Sequence, residues 1–216
     1  MHTKLPKNIF VTGTDTAVGK TLASCILTLG LKAAYWKVIQ SGIDTDTDWI
    51  QKYSQLADHH FFPESYKFKA PLSPHAASKI EGITIDIENI KVPDAKNFNH
   101  LIIEGCGGIM VPLNEKGDLL IDLMQKWKFS TIIVCRSSLG TINHSLLTIH
   151  HLRERGIPIL GVIMNGDSNP SNSQAIQKYG GVRILGEIET YNTINKDALL
   201  KSFNTIINNI SNITES

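Results

Sequence analysis

The 216-residue chain has only three cysteines, no apolar run long enough to cross a bilayer and almost no net charge. Each shortage excludes something. Cys25, Cys106 and Cys135 lie far apart without paired metal spacing, and two of them sit inside apolar runs, where a thiol acts as a small hydrophobe. A disulfide scaffold and a zinc site are therefore not expected, and a reducing cytoplasm is. Met1-His2-Thr3-Lys4-Leu5-Pro6 leads straight toward the first strand, without the apolar stretch of a signal peptide or a membrane span, so the chain reads as soluble and cytoplasmic. Lys plus Arg number 21 against 20 for Asp plus Glu, so no global field draws in nucleic acid or an anionic membrane, and neither is expected as a partner. Internal repeats are missing, as are linkers rich in Gly, Ser or Pro. A single domain over 1–216 is the expectation, with a polar tail from Asn208 to Ser216 that frays.

What the chain does have is a complete phosphate-binding loop, Gly13-Thr14-Asp15-Thr16-Ala17-Val18-Gly19-Lys20-Thr21. Ile9-Phe10-Val11 before it has strand chemistry, and Leu22, Ala23, Ile26 and Leu29 after it recur at helical spacing. The glycines let the backbone turn tightly, so that successive N–H groups and the helix N-terminus face phosphate oxygens. Lys20 would lie against the β and γ phosphates, and the Thr21 hydroxyl would ligate Mg2+. The chain reads as a binder of a nucleoside triphosphate.

Further strands are expected at 33–39, 101–103, 131–135, 158–164 and 182–188. Helices are expected at 49–57, from Pro74, at 118–126, from about 145 to near Gly156, at 171–179 and at 196–209. Residues 58–74 lack a clean period and read as a surface connection, and Asp48 reads as an N-cap. Short continuous apolar strands alternating with helices imply an α/β fold, a parallel sheet with helices on both faces. Glu104, directly after a buried strand, stands where a metal-associated carboxylate of a phosphate-loop enzyme is expected.

Several segments together resemble dethiobiotin synthetases. They are the Gly13-Thr14-Asp15-Thr16 form of the loop, Lys37 spaced to Ser41-Gly42, Ser73-Pro74-His75, Glu104-Gly105-Cys106-Gly107-Gly108, and Leu139-Gly140-Thr141-Ile142-Asn143-His144. The resemblance spans nearly the whole chain. It implies a P-loop NTPase fold and an ATP-dependent ring closure of 7,8-diaminononanoate with CO2 or bicarbonate. Lys37, Lys20 and Thr16 are the implied catalytic groups. Nucleotide contacts are implied for Thr14, Asp15, Ala17, Val18, Gly19, Lys20, Thr21, Leu22, Asp48, Glu104, Gly105, Cys106, Gly107 and Asn165. Ser41 and Thr16 would bind the substrate's reacting end. Gly140, Thr141 and Asn143 would bind its carboxylate from the second subunit of a homodimer. Mg2+ would be held by Thr21, Asp48 and Glu104, with Asp44 and Asp46 of the same loop as alternatives to Asp48.

Three departures from that pattern are visible. Val38 stands where the family commonly has proline, Asn165 is followed by Gly166 rather than an aspartate, and the segment Gly186-Glu187-Ile188-Glu189-Thr190-Tyr191 lacks the family's usual proline. The second predicts weaker discrimination between bases, so that other nucleoside triphosphates would also be accepted. Partitioning and septum-positioning ATPases share this kind of sheet but carry a lysine where Thr14 stands. A cobyrinic acid amidotransferase would need a glutaminase domain that this chain does not contain.

Overall fold

A computed structural model describes residues 5–211 of the chain. β1 (Asn8–Gly13) is the middle of the fold, buried along nearly its whole length because it has a parallel neighbour on each side. α1 (Lys20–Leu31) follows the phosphate loop, then β2 (Ala34–Lys37), β3 (Ile39–Ser41) and α2 (Asp46–Ser54). After a short 3-10 turn come β4 (Phe61–Phe62), β5 (Tyr66–Phe68), α3 (Pro74–Glu81) and β6 (Leu101–Gly108). α4 (Leu120–Trp127), β7 (Ser130–Arg136), α5 (Thr141–Glu154), β8 (Ile159–Asn165), α6 (Pro170–Gly180), β9 (Ile184–Ile188) and α7 (Lys196–Ser211) complete the series.

Seven strands form one parallel sheet in the order β4-β2-β6-β1-β7-β8-β9. Apolar layers cover both faces. α1, α2 and α7 lie on one side, where Ile26, Leu27, Leu199, Phe203 and Ile206 meet the sheet. On that side Phe203 of α7 occupies the space that a side chain at Gly30 would need, so the two helices approach closely only because position 30 is bare. α4 and α5 supply Leu120, Leu123, Ile149 and Leu152 to the other layer. The expected α/β fold, a P-loop NTPase sheet with helices on both faces, is what the structure shows. Among the described residues no helix is long and apolar enough to cross a membrane.

Three local expectations need correction. The strand expected over 33–39 divides at Val38, whose N–H donates to Glu104 O (3.1 Å) while its carbonyl accepts from Ser65 and Tyr66. β3 therefore leaves the main sheet and pairs with β5, carrying Ser41 forward over the strand ends. A proline at 38 could not make the first of those bonds. Residues 58–74, expected as a long surface connection near a site or an interface, also contain β4 and β5, which are too short to show a period. The tail expected to fray from Asn208 stays helical to Ser211, held by buried Ile210 and by Asn209 Nδ2 donating to Leu185 O (3.0 Å); 212–216 lie outside the described residues.

Candidate active site

β1, β6 and β2 lie side by side, and their register sets Val11, Glu104 and Lys37 in one row across the sheet, at the C-terminal end of β2 and midway along β6. That row is the floor of the site. Above it the phosphate loop turns through positive φ at Ala17 (56°) and Gly19 (99°), and the Asn165 side chain packs against Gly19 where a Cβ would stand. Only glycine fits there, because both the dihedral and the close approach exclude a side chain. α1 starts at Lys20 directly behind it, so its free N–H groups face the cleft.

A cleft of about 810 Å³ opens here. It is lined by Thr16, Ala17, Gly19, Lys20, Thr21 and Leu22 from the loop and α1, Lys37 and Ser41 from β2 and β3, Glu104, Cys106 and Gly107 from β6, and Asn165 from β8. The two lysines share this space. Lys20 Nζ donates to Asp15 O (3.0 Å). Lys37, only 4% exposed, donates to Glu104 Oε1 (2.9 Å) and Gly105 O (3.0 Å) and meets Asp46 Oδ2 at 2.6 Å. Burial pushes the Lys37 ammonium toward losing its proton, but Glu104 and Asp46 outweigh that, and its pKa is raised. Lys20 goes the other way, lowered first by burial and then by the neighbouring Lys37. Asp46 is lowered: its burial is overridden by Lys37 and the Thr21 hydroxyl.

Asp48 does not line the cleft, whereas Asp46 and Asp44, its alternatives in the same loop, do. α2 begins a turn earlier than expected because Thr45, in extended conformation, is the N-cap, its hydroxyl accepting the Asp48 N–H (3.0 Å). Asp46 in the first turn consequently faces the cleft, with Oδ1 2.9 Å from Thr21 Oγ1, while Asp48 points to solvent. Applying the preference for threonine caps to Thr45 would have given this answer. Asp44 lines the rim of the cleft. Gln40, buried in the middle of β3, accepts the Asp46 N–H (3.1 Å) and donates to Ser41 O (2.9 Å) and Asp44 O (3.4 Å), pinning the segment.

Thr21 Oγ1, Asp46 Oδ1 and Glu104 Oε1 converge, the last at 3.3 Å from the threonine. Hard oxygen donors with two carboxylates are what Mg2+ takes when phosphate oxygens and water complete its shell, so this set fits that ion. Ser41 Oγ is buried, lines the cleft and has no hydrogen-bond partner in the described structure, which suits a hydroxyl meant for a substrate. The Cys106 thiol also lines the cleft, its pKa pushed up by burial, which the lysines offset only partly.

Not every candidate enters the cleft. Val18 is fully buried and offers only its backbone. Thr14 and Asp15 border a second cavity of about 520 Å³ on the far side of the loop, walled by Met110, His144 and Leu147. The Thr14 N–H is taken by Val134 O (3.0 Å), and Asp15 pairs with Arg136 (2.8 Å), a contact that no sequence pattern announces. Thr16 borders both cavities. Gly140 and Asn143 are exposed at the start of α5 and do not reach the cleft within one chain. Thr141 is corrected as a substrate contact: it is 1% exposed, and its N–H donates to Ser138 O (3.2 Å).

A family model described as an AAA domain matches residues 7–198. An ATP-dependent dethiobiotin synthetase of Paramagnetospirillum magneticum is 46% identical over 85% of this chain and 88% of its own. That of Afipia carboxidovorans is 42% identical over 93% and 95%. Among solved structures, a plasmid partition protein of Borrelia burgdorferi bound to AMPPNP superposes with a TM-score of 0.58 at 13% identity, covering 95% of this chain and 98% of its own, which is a likeness of fold alone. With the loop, the paired lysines and the Glu104 carboxylate in one cleft, and with relatives this similar along most of its length, the chain belongs to the dethiobiotin synthetase family.

Proposed function

We propose that the protein closes 7,8-diaminononanoate with CO2 into the cyclic urea dethiobiotin, converting ATP to ADP and phosphate. The observation that carries this reading is the shared cleft: Lys20 and Lys37 line one space together with an unpartnered Ser41 hydroxyl. One neutral amine of the substrate adds to CO2 and releases a proton, giving a carbamate. Lys37 and Ser41 steady that anion. A carbamate oxygen then attacks the γ phosphorus and ADP leaves, with Lys20, Lys37 and the loop N–H groups facing the charge that spreads over the transferred group. The second amine attacks the carbonyl carbon and expels phosphate, a step that needs the two nitrogens held at bonding distance. Thr21, Asp46 and Glu104 would hold Mg2+, which supplies positive charge to the β and γ phosphates when bound.

Thr16, bordering both cavities, is the natural meeting point of nucleotide and diamine. The exposed apolar side chains Met110, Leu139 and Leu147 support a homodimer in which Gly140 and Asn143 of a second copy reach the substrate carboxylate. Phosphate release should therefore require the diamine and bicarbonate together. Release that is equally fast with ATP alone, or that responds to DNA or lipid instead, would reject this function.

Base selection is expected to be weak. Asn165 is the one side chain of the β8 terminus that lines the cleft, and Gly166, at φ 120° against Ser137, supplies no carboxylate to read a base. In a panel of nucleoside triphosphates, turnover with the others should stay within roughly tenfold of that with ATP. A strict requirement for ATP would contradict this.

A further inference from the structure

We infer that Tyr35 is a positioning residue for this reaction, its buried phenol fixing the orientation of the Glu104 carboxylate beneath the metal–nucleotide site. The inference rests on the reading of the cleft given above. Tyr35 does not line the cleft and would touch neither substrate nor metal. It acts through Glu104.

The sheet register creates the contact. Lys37 pairs with Glu104 and Tyr35 with Ile102, so Tyr35 and Lys37, two residues apart, face the same side of the sheet. Lys37 reaches Glu104 at the level of the cleft, and Tyr35 reaches it from below. Glu104 is wholly buried and its two oxygens have different duties. Oε1 meets Lys37 Nζ and Thr21 Oγ1 on the cleft side, whereas Oε2 accepts from the Tyr35 hydroxyl at 3.0 Å. The terminal torsion of a glutamate is broad and roughly two-fold, so packing alone would not decide which way the carboxylate plane turns. A donor fixed on one oxygen does decide it. Tyr35 is itself fixed, fully buried with the Phe61 ring at 6.3 Å, edge against face. Mg2+ tolerates little departure from octahedral geometry, so a carboxylate free to turn would hold it less well.

The test is Mn2+ binding in the presence of ADP, followed by the loss of the free-ion electron paramagnetic signal, for Tyr35→Phe, Phe61→Leu, Glu104→Gln and the double variant Tyr35→Phe with Glu104→Gln. Removing the hydroxyl should weaken Mn2+ binding about tenfold, as loss of a hydrogen bond to a buried charged group does. Metal-free ADP affinity should stay within about twofold, since no nucleotide contact is lost. Phe61→Leu, which loosens the packing but keeps the phenol, should bind Mn2+ nearly as the natural protein does. In the Glu104→Gln background the tyrosine change should add nothing, because its effect passes through that carboxylate. Wild-type Mn2+ affinity in Tyr35→Phe, an equal loss in Phe61→Leu, or a full additional loss in the double variant would each overturn the positioning role. An unchanged affinity in Glu104→Gln alone would instead remove the metal reading of the cleft, and the inference with it.

Discussion

Lys37→Gln should reduce diamine-dependent turnover by about 10²–10³-fold, the effect of deleting one charged donor from a transition state, while nucleotide affinity stays within a few fold. The side chain is nearly inaccessible and is the cation between Asp46 and Glu104. Glutamine keeps most of the length and none of the charge. Two opposing consequences follow, and they separate the catalytic role from a structural one. In metal-free protein the loss leaves two carboxylates without their ammonium, and removing one partner of a buried pair is destabilising by about 3–5 kcal/mol. Added Mg2+ restores positive charge among the same oxygens, so the thermal midpoint of the variant should fall in chelator and recover with Mg2+ more than that of the natural protein does. Turnover should not recover, because in the proposed mechanism no metal takes the place of the ammonium beside the carbamate. Steady-state rates at saturating Mg2+, with nucleotide titration calorimetry, measure both halves. Near-normal turnover in Lys37→Gln would remove this residue from the mechanism.

Legibility from sequence followed how local each feature is. The phosphate loop is contiguous, so Gly19, Lys20 and Thr21 line the cleft together as the motif alone leads one to expect. β1, β6, β7 and β8 each contain a continuous apolar run because both faces of a parallel sheet are covered, and Glu104 could be picked out because it follows Leu101-Ile102-Ile103, although β6 itself continues through it to Gly108. β4 and β5, two and three residues long, carry no period to read. The division at Val38 depends on backbone bonds to Glu104, Ser65 and Tyr66, partners that a string of residues cannot reveal. Tyr35 looked like one more apolar strand position, since its contact with Glu104 exists only once β2 and β6 are in register. Asp46 stands in the sequence only as an alternative to Asp48 for a local reason, the cap at Thr45, and that difference can be tested directly.

Asp46→Asn should raise the Mg2+ concentration needed for half-maximal turnover by at least about tenfold, whereas Asp48→Asn should change it less than about twofold. The two residues lie one helical half-turn apart, so a loop merely rich in acid would treat them alike. In the structure they differ in every relevant respect. Asp46 reaches Thr21 Oγ1 at 2.9 Å and Lys37 Nζ at 2.6 Å, and Gln40 holds its N–H. Asp48 is exposed, and its own N–H serves the Thr45 cap, a bond that asparagine preserves. Replacing Asp46 removes one of the two carboxylates offered to the ion, and it also leaves Lys37 with Glu104 as its remaining carboxylate partner. The ammonium then competes more strongly for Glu104, and metal entry is hindered twice over. Excess Mg2+ should therefore recover part of the lost rate in Asp46→Asn, and it should do little for Lys37→Gln. Turnover followed against Mg2+ concentration in both aspartate variants decides between the positions: a large shift in Asp48→Asn with a normal curve in Asp46→Asn would return the metal to Asp48 and reject the loop geometry on which the site is built.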